Sequence, residues 1–182
     1  MGMRQCAIFL FAFLSMTLAA AEFRLDISGR DNVLTPGRGE VKFDRAAWVS
    51  AAERPGYLVV SKEVGEEWTP IEFSFVAEKD GFLWLAFGGG WAAAPGARAF
   101  ILVDDIKFNG QEAPNGGFET LKPDLSAPRI WNLAPKSKAC LVDDARQGKK
   151  AMKINHDNRI GQGVKVEAGK SYTISLFAKA AK

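Results

Sequence analysis

Gly and Pro (18 and 8 of 182 residues) recur so often that almost every apolar run is cut to the length of a β-strand. "FRLDISG" sets Phe23, Leu25 and Ile27 against Arg24, Asp26 and Ser28, a period of two. "IEFSFV" repeats the pattern with Ile71, Phe73 and Phe75 on one side and Glu72 and Ser74 on the other, and "VKVEAG" and "YTISLFA" behave alike. Successive strand residues point to opposite faces, so such alternation marks strands with one face in a core. "YLVV", "GFLWLAF" and "AFILV" are continuous apolar runs, as expected of strands covered on both faces, and "GEVKF" and "KAMKI" add shorter candidates. No segment sustains a capped helical period; "FDRAAWVSAAER" (residues 43–54) offers at most a short surface turn. Many short strands separated by turn signals predict an all-β sandwich or barrel.

The first residues point to export. Arg4 precedes the uncharged run "CAIFLFAFLSMTLA", and small residues follow in "AAAEF", with cleavage expected after Ala21. The run is short for a spanning helix and Cys6 stands at its start, away from the cleavage site, so residues 1–21 read as a signal peptide and the chain as secreted, periplasmic or cell-surface. The formal net charge of +3 falls to about +2 without Arg4, and the signs are interspersed, unlike the concentrated basic face of a nucleic-acid binder. Cys140 is the one cysteine beyond the leader, so no intramolecular disulfide is available.

Two segments carry a resemblance. "EEWTPIEFSFVAEKDGFLWLAF", followed by "AFILVDDIKFNG", is similar to the closing half of CenC-type carbohydrate-binding modules, which are galactose-binding-like jelly rolls. The matching elements are Trp68 opening a strand, Phe73 with Phe75, the pair Asp80-Gly81, and Val103 to Ile106. "NGGFE" (115–119) resembles the opening of the same module, followed by Trp131, "QGKKAMKI" and "IGQGVKVEAGKSYTISLFAKA". The resemblance implies a jelly-roll β-sandwich that binds polysaccharide.

A closing half thus precedes an opening half. Tandem copies on short linkers are the usual arrangement, which gives a leader at 1–21, a module at 22–110, a linker at 111–114, and the opening half of a second module at 115–182. Alternatively 115–182 completes the first module as one permuted sandwich. The combined length suits a single module, and a half sandwich would expose its inner face.

Catalysis finds little support. Glycosyl hydrolysis needs two carboxylates across one bond, whereas Asp104-Asp105, Asp143-Asp144 and Glu66-Glu67 are adjacent pairs, and neighbours on a strand diverge. His156 is the sole histidine, without a zinc-ligand set or a nucleophile elbow, and reads as a loop residue; Gly88 to Gly90 read as a turn. The resemblance also implies a structural calcium where opening and closing strands meet, with Glu119 and Asp105 as ligands and Asp104 as a lesser one. In a tandem chain these belong to different modules.

Sugar binding needs a flat apolar ring with polar groups around it. Trp68, Trp84 and Tyr172 sit in strand contexts and read as packing residues. Trp91, in "GGGWAAAPGAR", has no evident core to claim it; Trp48 and Trp131 are further candidates, with Arg98, Asn132, Asn155 and Gln162 as hydroxyl partners. The expectation is a secreted, non-catalytic polysaccharide-binding module. The rivals are a cell-surface structural or protein-interaction sandwich and the accessory fragment of a glycoside hydrolase.

Overall fold

A computed structural model describes residues 20–29, 34–39, 56–123, 128, 130–133 and 136–181. Trp48, the segment 43–54 and all of the expected leader but Ala20 and Ala21 lie outside the described residues. No described helix is long and apolar enough to cross a membrane.

The described chain is a β-sandwich of two antiparallel sheets. Its strands before residue 110 are β1 (Ala21–Gly29), β2 (Leu34–Pro36), β3 (Tyr57–Val64), β4 (Thr69–Ala77), β5 (Gly81–Gly89) and β6 (Ile101–Phe108). After it come β7 (Gln111–Glu112), β8 (Asn132–Leu133), β9 (Cys140–Val142), β10 (Ala151–Ile154), β11 (Ile160–Val166) and β12 (Ser171–Ala180). One sheet runs β3-β1-β5-β11-β8; the other runs β2-β4-β12-β6-β10-β9, with β7 on β6.

This order corrects the tandem division at 110/115. β11 pairs along β5, and β12 lies between β4 and β6, so strands from both sides of the joint alternate within each sheet. A single core follows, filled by Phe23, Leu25, Phe73, Phe75, Leu85 and Phe87 from the first part and Trp131, Met152, Ile154 and Ile174 from the second. The expected linker is also not a linker. Asn109 and Gly110 both have positive φ (52° and 74°) and form the two-residue turn of a β6–β7 hairpin, pairing Phe108 with Gln111 and Lys107 with Glu112. Asn-Gly suits that turn because both central residues must adopt φ > 0.

"VDDI" contains a bulge. Asp104 pairs with Phe177 and Lys107 pairs with Ser175, so two residues of β6 oppose one of β12. Asp105 takes φ 52° there. The extra residue shifts the inward set from Ile101 and Val103 to Ile106 and Phe108. "NGGFE" forms a turn instead of a strand, and Phe118 at its end enters the core with no exposed surface.

Candidate functional site

Registers fix what the outer face of the five-stranded sheet presents. Along β5 the inward residues are Leu83, Leu85 and Phe87, so Phe82, Trp84, Ala86 and Gly88 face outward. Opposite them on β11, Phe82 meets Lys165, Trp84 meets Gly163 and Ala86 meets Gly161. On β1, Trp84 meets Ser28, Ala86 meets Asp26 and Gly88 meets Arg24. "GFLWLAF" is therefore covered on one face only, a correction to the two-sided burial that its continuous apolar character suggests. Phe82 is 72% exposed and Trp84 41% exposed.

Trp84 lies across β11. A Cβ placed on Gly161 would sit 2.7 Å from the indole Cε2 and 3.0 Å from Nε1, while one on Gly163 would be 3.9 Å from Cε3. The Nε1–Cε2–Cζ2 edge of the indole thus lies over Gly161 with Cε3 near Gly163, and the residue keeps 41% of its surface exposed. At Gly161 only a residue without a side chain allows so close an approach, whereas a methyl at Gly163 would make ordinary contact.

Beside this platform is a polar cluster. The buried carboxylate of Asp26 accepts a hydrogen bond from Arg24 Nε at 2.8 Å and pairs through its other oxygen with Arg159. Arg159 also donates from Nε to the His156 carbonyl at 3.0 Å, and its aliphatic stem lies over Gly88. The Tyr57 hydroxyl joins Arg24 and Asp26. Burial, then the Asp26 charge, pushes its pKa up, which keeps it a neutral hydrogen-bonding group.

The aromatic residues singled out in the sequence divide. Trp91 is 62% exposed just past the end of β5, and the Arg98 guanidinium stands 6.0 Å from its ring centroid. Arg98 is held by Ala92 O at 2.9 Å and by Asp157. His156 and Arg98 lower the Asp157 pKa, so its carboxylate stays charged. Trp131 is a correction: it is buried, 5.6 Å from Phe87 and 5.4 Å from Phe118 between ring centroids, and its Nε1 donates to Asn115 O at 2.8 Å. It packs the core and presents no surface to a ligand. Asn155 and Gln162 are buried as well, donating to Arg98 O at 3.2 Å and Pro114 O at 3.1 Å. Tyr172 packs between Phe75 and Phe108, and Trp68 lies under Lys179. Trp84 was the residue that sequence reasoning missed; the signal was the "GQG" spacing on β11, two glycines on one face of a strand.

The expected metal ligands meet N–H groups instead of one another. Asp104, fully buried, accepts from Asp105 N at 2.7 Å, Arg146 N at 2.7 Å and Gln147 N at 3.0 Å. Glu119 accepts from Lys149 N at 2.6 Å and Lys150 N at 2.8 Å. Both carboxylates therefore grip one segment, residues 146–150. Asp105 pairs with Lys107 Nζ at 3.0 Å. Among the described residues no three Asp, Glu, His or Cys side chains gather as a metal would require. Donor sets already filled by N–H groups and an ammonium do not fit calcium. Asp143 and Asp144 pair with Lys150 and Lys179.

A cavity of about 40 Å³ between Leu85, Phe87, Phe108, Trp131 and Ile174 is too small for a sugar ring, and a larger pocket of about 270 Å³ opens between Gly39, Val60, Ser61, Lys62, Ile71 and Glu72. Neither protein-family models, curated proteins nor solved structures provide a match to the chain.

Proposed function

We propose that the chain is a non-catalytic carbohydrate-binding sandwich, exported to meet its polysaccharide, with the outer face of the five-stranded sheet as its platform. The observation that carries this reading is Trp84, 41% exposed with its indole over Gly161 and beside Gly163, in line with exposed Phe82. Pyranose rings present C–H faces that pack on such rings, and hydroxyls at their rims need nearby polar groups. Tyr57, at the register of Trp84, and Arg24, two registers along the same face at Gly88, supply these together with Arg159. Trp91 with Arg98, at the end of β5, extends the strip for a longer chain. Two rings set among Gly, Ala and Ser make a narrow track, which suits a linear glycan better than the broad apolar patch of a protein interface.

Asp104 and Glu119 act in this reading as clamps on residues 146–150, and calcium has no part in binding. The test is affinity electrophoresis against a panel of neutral and acidic polysaccharides, with Trp84→Ala, Phe82→Ala and Trp91→Ala alongside. Retardation by at least one glycan, lost in Trp84→Ala and weakened in the other two, supports the platform. Retardation by none, or retardation unchanged in Trp84→Ala, refutes it.

A further inference from the structure

We infer that the platform selects glycans bearing a carboxylate on the sugar ring, such as uronate polymers, with Arg159 as the residue that reads the charge. The inference rests on the carbohydrate-binding reading above and specifies its substrate class.

Position comes first. Arg159 stands two residues before Gly161, and strand rise puts like-facing neighbours about 7 Å apart. The indole of Trp84 extends over Gly161, so Arg159 borders the ring on the side toward Gly88. A sugar stacked on Trp84 would have its edge, where a ring carboxylate projects, beside that guanidinium. Arg24 faces the same point from β1, opposite Gly88.

Charge comes next. Between the registers of Phe82 and Gly88, the described residues of this face include Arg24, Arg159 and Lys165 against Asp26. Glu22 and Glu63 lie one register further out, opposite each other beyond Arg24. The cationic excess therefore coincides with the Phe82–Gly88 part of the strip and ends at Glu22, before Trp91.

Hydrogen-bonding capacity decides between neutral and acidic ligands. A neutral sugar hydroxyl both donates and accepts, and its sites commonly offer carboxylate or amide oxygens as acceptors. Here each Asp26 oxygen already receives an arginine. What remains is rich in donors: a guanidinium has five N–H groups, and Arg159 commits one nitrogen to His156 O and one to Asp26. Its side chain is 27% exposed, and it is held in place from two directions. A pre-oriented planar fork with unused donors matches a carboxylate, which accepts without donating.

The experiment is isothermal titration of the full chain with a uronate polymer, polygalacturonate or polyglucuronate, and with the same polymer after carboxyl reduction. The uronate form is expected to bind about tenfold tighter at low salt, as a charge-assisted bond allows, with the ratio shrinking as salt rises. Trp84→Ala should weaken both forms. In Arg159→Gln the ratio between the two should fall toward one. That change leaves Asp26 half-paired, so the double variant Asp26→Asn with Arg159→Gln, which removes both charges, is measured beside it. Equal or tighter binding of the reduced polymer, lost in Trp84→Ala, overturns the carboxylate preference and leaves the platform standing. Binding of neither polymer nor any panel glycan overturns both readings. A ratio unchanged in both arginine variants overturns the role of Arg159.

Discussion

Two glycines on one strand make a paired test of the Trp84 platform. In Gly161→Ala the new methyl would lie 2.7 Å from Cε2 and 3.0 Å from Nε1 of the indole, whereas the nearest atoms in Gly163→Ala are 3.9 Å away. Carbon–carbon contacts relax near 3.5–4.0 Å, so the first change must lift the ring by about 1 Å and the second need not move it. A gap of that size forfeits about a quarter to a half of the ring's dispersion contact with β11, on the order of 1–2 kcal/mol. Alanine in a strand recovers about 0.5–1 kcal/mol of backbone entropy at either position. Gly161→Ala should therefore lose about 1 kcal/mol net, or about 2–4 °C in Tm, while Gly163→Ala should hold its Tm or gain slightly. Binding separates them further: a tilted ring loses stacking worth about 1 kcal/mol, close to fivefold in Kd, in Gly161→Ala only. Differential scanning fluorimetry and glycan titration read both quantities. Equal effects of the two substitutions would refute the placement of the indole on Gly161.

Three further outcomes follow from the geometry. Asp104→Asn removes an acceptor of backbone N–H groups and should cost about 2–3 kcal/mol at pH 7 by thermal or urea unfolding. Burial raises the Asp104 pKa in the folded chain more than its three N–H bonds lower it. The pH-dependent part of its contribution is thus greatest below the unfolded-state value and is lost as pH rises through the folded one, which leaves the N–H bonds as its contribution at pH 7. The gap between wild type and Asp104→Asn should widen from pH 7 to pH 4, and a gap that narrows would mean the N–H bonds prevail over burial. Residues 22–110 expressed alone should show no cooperative melt, because β11 and β12 are absent from both sheets, and a folded fragment would restore the two-module division. Addition of EDTA should shift neither Tm nor glycan affinity measurably; a fall in Tm reversed by calcium would reassign Asp104, Asp105 and Glu119 as ligands.

The alternating segments were legible without coordinates: "FRLDISG", "IEFSFV" and "YTISLFA" became β1, β4 and β12 with the expected faces inward. Periodicity failed where the outer face is itself apolar. In β5, Phe82 and Trp84 interrupt no hydrophobic pattern, and only the glycines of a strand some 75 residues later reveal that the indole has an open side. Trp131 failed in the opposite sense. Its Pro-flanked neighbourhood reads as a surface loop, but Phe118 and Phe87 enclose it from distant parts of the chain. The acidic pair of β6 likewise gave no local sign that a bulge would turn Asp104 onto a loop 42 residues away. Local pattern sets which residues are strand; which of them meet is a long-range property.

The place of β12 bears on when the molecule can exist at all. The last described strand, Ser171–Ala180, sits between β4 and β6 and closes the larger sheet. Until those ten residues have been synthesised, β4 and β6 have no neighbour to join them, and the apolar faces of both sheets lack a lid. Pairings of such sequence separation form slowly, on the order of milliseconds to seconds, after much of the chain has collapsed. A nascent chain therefore lacks its closing strand until Ser171–Ala180 has been made. Machinery that threads extended chains would meet it in a passable state until then, and chaperones that shield unpaired strand edges would have the same interval in which to bind.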